Sequence, residues 1–218
     1  MDKKFRLKDK FNFSKVKILK ICAYTLCLIA SIALLAGFNF QPFAAAVNSR
    51  KIPIYCVDRS DNKVAITFDA AWGADKTQKI LDVCHRYGVK ATFFLVGFWI
   101  DNYPDMVKKI DEMGHTIGTH SETHPKMGSL SAEKITQELS SSMKKITDLT
   151  GKEVKLFRAP FGDYSNRLLE VAEGMGLSTI QWDVDSLDWK GISAVELANR
   201  VQKAKAARLY CVTTTASI

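Results

Sequence analysis

The stretch VAITFDAAWGADKTQKILDVCHRYGVKATFFLV, residues 64–96, decides the architecture. Its opening, Val64-Ala65-Ile66-Thr67-Phe68, is short, apolar and rich in β-branched residues, and it stops at Asp69. That reads as a buried strand with a polar residue at its end. Asp75-Lys76-Thr77-Gln78 has the form of a capping box opening a helix, with Ile80, Leu81 and Cys84 on one face and Gly88 behind its end. Ala91 to Val96 is the next apolar run, a second strand. Strand, helix and strand in this order predict a mainly parallel sheet covered by helices.

The alternation continues outward. Pro104 to Met113 reads as a helix closed by Gly114, and Thr116-Ile117-Gly118-Thr119 as a strand running straight into His120. Ser131 to Leu149 is a long amphipathic helix with Ser131 as its cap and Gly151 behind it. Leu156 to Arg158 is a strand, Asn166 to Met175 a helix, Ser178 to Asp183 a strand and Ala194 to Ala206 a helix. Upstream, residues 39–60 read as a linker ending in a short first strand, Ile52 to Val57. The α/β domain is therefore expected over 61–218. Asp69, His120, Arg158 and the Asp183–Asp188 segment each fall just after a predicted strand, where such sheets collect their functional residues.

Composition narrows the class. Apolar residues make up 47% and charged residues 25% of the 218, as in an ordinary globular protein. The net charge of +8 invites a nucleic-acid reading, but residues 1–20 carry eight Lys and Arg against two Asp. The basic excess is a tail rather than a patch on the domain, so nucleic acid is excluded as the main partner. Behind the tail, residues 21–38 run without a charge. As a helix they span about 27 Å, enough for the hydrocarbon core of a bilayer. Basic residues before this segment put residues 1–20 in the cytoplasm and the domain outside. The segment is either an uncleaved signal anchor in the cell membrane or a signal peptide cut near Ala46, which would leave a secreted domain. The five cysteines show no regular spacing and no CxxC, so cysteine-ligated zinc is not expected.

His120-Ser121-Glu122-Thr123-His124 sets two imidazoles four residues apart, a spacing at which both can reach one divalent ion. Alone, the same spacing is more often a pair of solvated loop histidines. Its neighbours change that balance. Thr67-Phe68-Asp69, His120-Ser-x-x-His124, Arg158-Ala159-Pro160-Phe161-Gly162 and Asp185-Ser186-Leu187-Asp188-Trp189 follow one another in order. This set resembles the NodB-homology polysaccharide deacetylases, carbohydrate esterase family 4, from about Lys63 to about Lys205. The sequences around Thr67–Gly73, Phe93–Phe98 and Gln181–Trp189 are similar to its sporulation-associated branch.

The resemblance implies a distorted (β/α) barrel of the polysaccharide deacetylase type and removal of N-acetyl groups from a cell-wall glycan, peptidoglycan or chitin-like. Asp69 would be the general base, and Arg158 would pair with it and keep it ionised. His120 and His124 would hold a divalent metal, zinc or cobalt. The backbone N–H of Phe161, in the Pro160-Phe161-Gly162 turn, would help bind the developing oxyanion. Trp189 would wall the acetyl pocket, and either Asp185 or Asp188 would orient the catalytic acid.

Two positions depart from the family pattern. The family's second Asp, a metal ligand, is replaced by Ala70. Asp75 is a substitute ligand or, more simply, the cap of the helix behind it. The family's closing Leu-x-His, which supplies the general acid, is missing, since the histidines are His85, His115, His120 and His124. His85 reads as helical and exposed, His115 as core. The tail 206–218 reads as a frameshifted replacement of the family's C-terminus, or else a divergent one. The fold is accordingly expected to be C-terminally incomplete, short of a strand and a helix, and preceded by one membrane helix.

Overall fold

A computed structural model describes residues 17–32, 50–57 and 63–202, together with the backbone of 209–213. They belong to two compact units divided between Ser49 and Arg50. In the first unit residues 17–32 form a helix, α1, whose side chains are exposed. Residues 33–38 of the expected membrane span lie outside the described residues, as does the basic tail before residue 17. The described apolar part, 21–32, is about 18 Å long at 1.5 Å per residue, short of a ~30 Å hydrocarbon core. Among the described residues no helix is long and apolar enough to cross a membrane.

The second unit is the α/β domain. Its order is β1 (Ala65–Ala70), α2 (Thr77–Arg86), β2 (Thr92–Leu95), α3 (Gly97–Asn102), α4 (Pro104–Glu112), β3 (Thr116–Thr119) and α5 (Ala132–Thr150). There follow β4 (Leu156–Phe157), α6 (Asn166–Gly174), β5 (Ser178–Thr179), β6 (Val184–Asp185), α7 (Ala194–Gln202) and β7 (Leu209–Thr213). The seven strands make one sheet in the order β5-β4-β3-β2-β1-β7-β6, and every pairing is parallel.

Alternation along the strands separates two faces. On the helix-covered face Phe68 and Phe93 stack at 5.0 Å, within a core that includes Leu81, Trp99, Ile110, Ile135 and Leu139. On the other face Asp69, Phe94 and Gly118 lie in one cross-strand row. Gly118 is required there, because a Cβ would stand 2.7 Å from the Phe94 ring and 2.8 Å from the Leu156 carbonyl. That space lets Phe94 lie flat beneath Arg158, which crosses its ring at 4.2 Å. Two strands separate β1 from β4, about 14 Å in a flat sheet. Yet Arg158 Nη1 reaches Asp69 Oδ1 at 2.6 Å. Side chains standing off a flat sheet would not close that gap, so the sheet curls as the wall of a barrel does.

Several elements differ from expectation. Residues 209–213 were expected to leave the sheet one strand short, but they form β7 between β1 and β6. Leu-Tyr-Cys-Val-Thr is a strand-favouring string, and backbone pairing asks for no particular side chain. Ile52–Val57 is no continuous strand: Ile54 bridges to Ile180, and Cys56 is a second isolated bridge residue. Residues 50–57 nonetheless lie against the domain, with the Lys51 N–H donating to Asn166 Oδ1 at 2.9 Å. The expected strand 178–183 ends at Thr179, and a separate strand, β6, begins at Val184. Asp75 caps nothing: α2 starts one residue later than the capping box implied, with Lys76 at its N-cap and no side-chain hydrogen bond there.

Candidate active site

Four non-glycine residues among those described have positive φ: Ser121, His124, Phe161 and Leu187. Each lies in one of the motif loops beyond β3, β4 or β6. Such backbone costs about 1–3 kcal/mol per residue and persists where surrounding contacts hold it. The strain is thus concentrated where sequence reasoning places the chemistry.

The loop after β3 is built to present two imidazoles. His120 N–H continues the sheet by donating to Leu95 O at 2.9 Å. Its Nδ1 faces Arg158 O at 2.8 Å, and Nε2 lies 3.9 Å from Asp69 Oδ2. The chain then turns at Ser121, whose Oγ accepts the His124 N–H at 3.0 Å and whose carbonyl accepts the Gly97 N–H at 2.9 Å. This stacks His124 against His120 with ring centroids 5.0 Å apart. Glu138, buried on α5, fixes the loop from behind. Its carboxylate accepts the Glu122 N–H at 3.1 Å, the Thr123 N–H at 2.8 Å and the Thr123 hydroxyl at 2.8 Å. Sequence reasoning missed Glu138. The signal was a charged residue on the apolar stripe of α5, in line with Ile135, Leu139, Ser142 and Ile146.

Burial lowers the pKa of His120, against the opposing pull of Asp69. Burial also pushes His124 down to about 4, with the neighbouring His120 adding to the effect. Both rings are neutral at pH 7 and keep a lone pair. A ring held through one nitrogen by a backbone carbonyl, with the other directed at the centre, has the arrangement of a metal ligand.

Arg158 is fully buried. Besides Asp69 it donates to Gln181 O at 3.1 Å and to Ile180 O at 3.4 Å, and the Trp182 ring lies 5.6 Å away. Its planar fork therefore ties the ends of β1, β4 and β5 together, a task lysine's single ammonium could not perform. Beyond it, Pro160 is buried and Phe161 takes φ 59°. The Gly162 and Asp163 N–H groups donate to Ala159 and Pro160 carbonyls. Gln181 Nε2 holds the turn from below through Gly162 O at 3.1 Å. Among the described residues the Phe161 N–H takes no partner, as an oxyanion donor requires. The Phe161 ring lies 4.7 Å from His124.

Asp69, His120, His124, Arg158 and Phe161 are thus joined by direct contacts. Asp185 accepts the Leu187 N–H at 2.9 Å, and Asp188 bonds Ser186 Oγ, so both shape the loop after β6. Trp189 is about half exposed, with Lys190 Nζ 4.9 Å above its ring. His85 is exposed on α2. His115 is core, its Nδ1 accepting the Ala91 N–H at 3.1 Å.

Among the described residues no group of three or more His, Cys, Asp or Glu is disposed to hold a metal ion. Two neutral imidazoles fit two positions of such a site, and fully buried Ala70 supplies nothing at a third. The donor set suits a weakly held ion rather than a closed cage.

The profile described as polysaccharide deacetylase matches residues 57–180. The peptidoglycan-N-acetylglucosamine deacetylase of Bacillus cereus is 35% identical over 139 residues, 64% of this chain and 50% of that protein. The peptidoglycan-N-acetylmuramic acid deacetylase PdaA of Bacillus subtilis is 33% identical over 137 residues, 62% of this chain and 52% of PdaA. Among solved structures, BA3943 of Bacillus anthracis, a CE4 family pseudoenzyme, superposes with TM-score 0.73 at 31% identity, covering 76% of this chain and 59% of BA3943. A mutant of BA3943 with restored enzymatic activity superposes equally well. Fold and motif loops thus define a deacetylase-type α/β domain. The chain belongs to the polysaccharide deacetylase family. It spans about half the length of the curated relatives it matches.

Proposed function

We propose that this protein is a metal-assisted N-deacetylase of cell-wall glycan, acting on peptidoglycan or a chitin-like polymer outside the cytoplasm. The observation that carries the reading is the buried Arg158–Asp69 pair set 3.9 Å from the first of two neutral imidazoles. A divalent ion on His120 and His124, zinc or else cobalt, would lower the pKa of a bound water and polarise the acetamide carbonyl. Arg158 keeps the Asp69 carboxylate ionised and fixed, so that it accepts the water's proton as the carbon–oxygen bond forms. The Phe161 N–H donates to the carbonyl oxygen as charge gathers there. Trp189 walls the acetyl group, Asp185 or Asp188 would orient a catalytic acid, and the proton that Asp69 takes from the water is the one returned to the departing amine, since His85 and His115 lie away from the centre. The family's relatives named as peptidoglycan deacetylases support the substrate class.

The same reading makes residues 21–38 a signal anchor in the lipid bilayer, or a signal peptide cut near Ala46, and links the protein to sporulation. A second reading, a glycan-binding protein without catalysis, is favoured by Ala70 and by the likeness to a pseudoenzyme. Acetate release from N-acetylated cell-wall glycan by the full chain, with added zinc and with Asp69→Asn as control, separates the two. Zinc-dependent release lost in the variant supports deacetylation; no release from folded protein that still binds the glycan sinks it. Recovery of the mature chain in washed membranes tests the anchor, and a soluble form beginning after Ala46 excludes it.

A further inference from the structure

Trp72 is the most exposed of the four tryptophans. It follows Asp69 by three residues, and 68% of it is exposed. The loop beneath it is fixed. Ala70 and Ala71 are buried, the Ala70 carbonyl accepts the Val96 N–H at 3.1 Å, and the Gly73 carbonyl accepts the indole N–H of fully buried Trp99 at 2.9 Å. A loop held at both ends presents the indole at a set angle.

The ring has neighbours on the side of the centre. Trp72 lies 5.2 Å from Phe98 and 6.0 Å from His124, edge to face. His124 in turn is 4.7 Å from Phe161, 64% of which is exposed. Phe98, Trp72, His124 and Phe161 therefore form one aromatic rim that runs past a candidate ligand of the metal. The four rim side chains are uncharged at pH 7, and the charged groups that the contacts place beside their neighbours are carboxylates, Asp75 at Gly73 and Glu122 at Gly97. Contiguous apolar surface beside a polar centre marks a binding surface rather than chance exposure.

We propose that Trp72 is the stacking platform of a glycan subsite, holding a pyranose ring next to the sugar that carries the acetamide at the Asp69 centre. The chemistry of a hexosamine suits it. One face of a pyranose is a patch of C–H groups, which the electron-rich face of an indole attracts and whose water it displaces. The hydroxyl groups at the ring's edge stay in solvent. A rim flanked by carboxylates has no attraction for phosphate or anionic lipid headgroups. Binding a neighbouring sugar here would set the register of the chain and so place one acetamide against the centre. This inference rests on the glycan reading proposed above, but it concerns binding rather than catalysis.

The test is calorimetric titration of the full chain with a soluble tetramer of N-acetylglucosamine. Trp72→Ala is expected to weaken binding at least tenfold, while Trp72→Phe stays within about threefold of the parent, as aromatic stacking requires. The thermal midpoint should be unchanged, because the side chain is exposed. His85→Ala, exposed on α2 and outside the centre, should bind as the parent does. Tetramer binding that depends on Trp72 without acetate release would leave this inference standing and sink the catalytic reading. Unaltered binding by Trp72→Ala, or none by the parent, overturns it. So does a Trp72 dependence found for anionic phospholipid vesicles or self-association with tetramer binding intact.

Discussion

Arg158 can be removed with a consequence the structure makes calculable. Its guanidinium is fully buried, donates to Asp69 and to two carbonyls at the end of β5, and lies over the Phe94 ring. Arg158→Met keeps much of the volume but leaves the Asp69 carboxylate without its cation in a site almost closed to water. Breaking a buried pair from one side costs about 3–5 kcal/mol, mostly the penalty on the remaining charge. Removing both charges should cost far less, so Asp69→Asn in the Arg158→Met background is expected to restore about half of the loss or more. All four tryptophans, Trp72, Trp99, Trp182 and Trp189, lie in the α/β unit, so their fluorescence in urea reports on that unit alone. With a slope of about 2 kcal/mol per molar urea, the single variant should lower the midpoint by about 1.5–2.5 M. A shift below about 0.5 M, or a double variant no more stable than Arg158→Met, would refute the claim that this pair is what ties the barrel's polar face together.

Other perturbations follow from the same geometry. Ala70→Asp adds a carboxylate where the centre has only two imidazoles, and should raise zinc affinity at least tenfold in competition with a chromophoric chelator, while lowering the stability of the metal-free protein. Glu138→Gln keeps the size but loses the charge that accepts three donors of the histidine loop. It should cost about 1.5–3 kcal/mol in urea unfolding and weaken zinc binding about 10–100-fold, although no atom of Glu138 touches the centre. His115, His120 and His124 all have lowered pKa values in the fold, with burial the largest cause for each. The unfolded chain then binds more protons, so stability is complete above about pH 6.5 and falls as pH drops toward the folded values, about 4 for His124. Urea midpoints of metal-free protein from pH 7.5 to 4.5 should decline, and less steeply in His115→Gln; a flat profile would contradict the burial of these rings.

The strand ends were the most legible part of the sequence, because a buried parallel strand writes a continuous apolar run and stops at a polar residue. Asp69, His120 and Arg158 are read directly in this way. The long helix was legible at both ends, with the Ser131 hydroxyl accepting the Lys134 N–H and Gly151 at φ 68°. The six-residue helix α3 was not, since Gly97–Asn102 carries no helical period and is held by tertiary contacts such as buried Trp99. The strand in the C-terminal tail was illegible from the family's closing motif, because strand pairing is a property of the backbone and needs no histidine. Sheet order and curl lie outside any local pattern. The centre's outer support, Glu138 and Gln181, was illegible for the same reason: each holds a loop distant in sequence.

The loops after β1, β3 and β4 bring two neutral imidazoles and a paired carboxylate into one centre, to which the proposed function assigns a divalent ion. Zinc binding to the full chain at pH 7.5, measured by chelator competition with His120→Ala and His124→Ala alongside, tests it most directly. One saturable zinc lost in either variant and retained in His85→Ala is the predicted result. No saturable zinc, or zinc indifferent to both histidines, would contradict it.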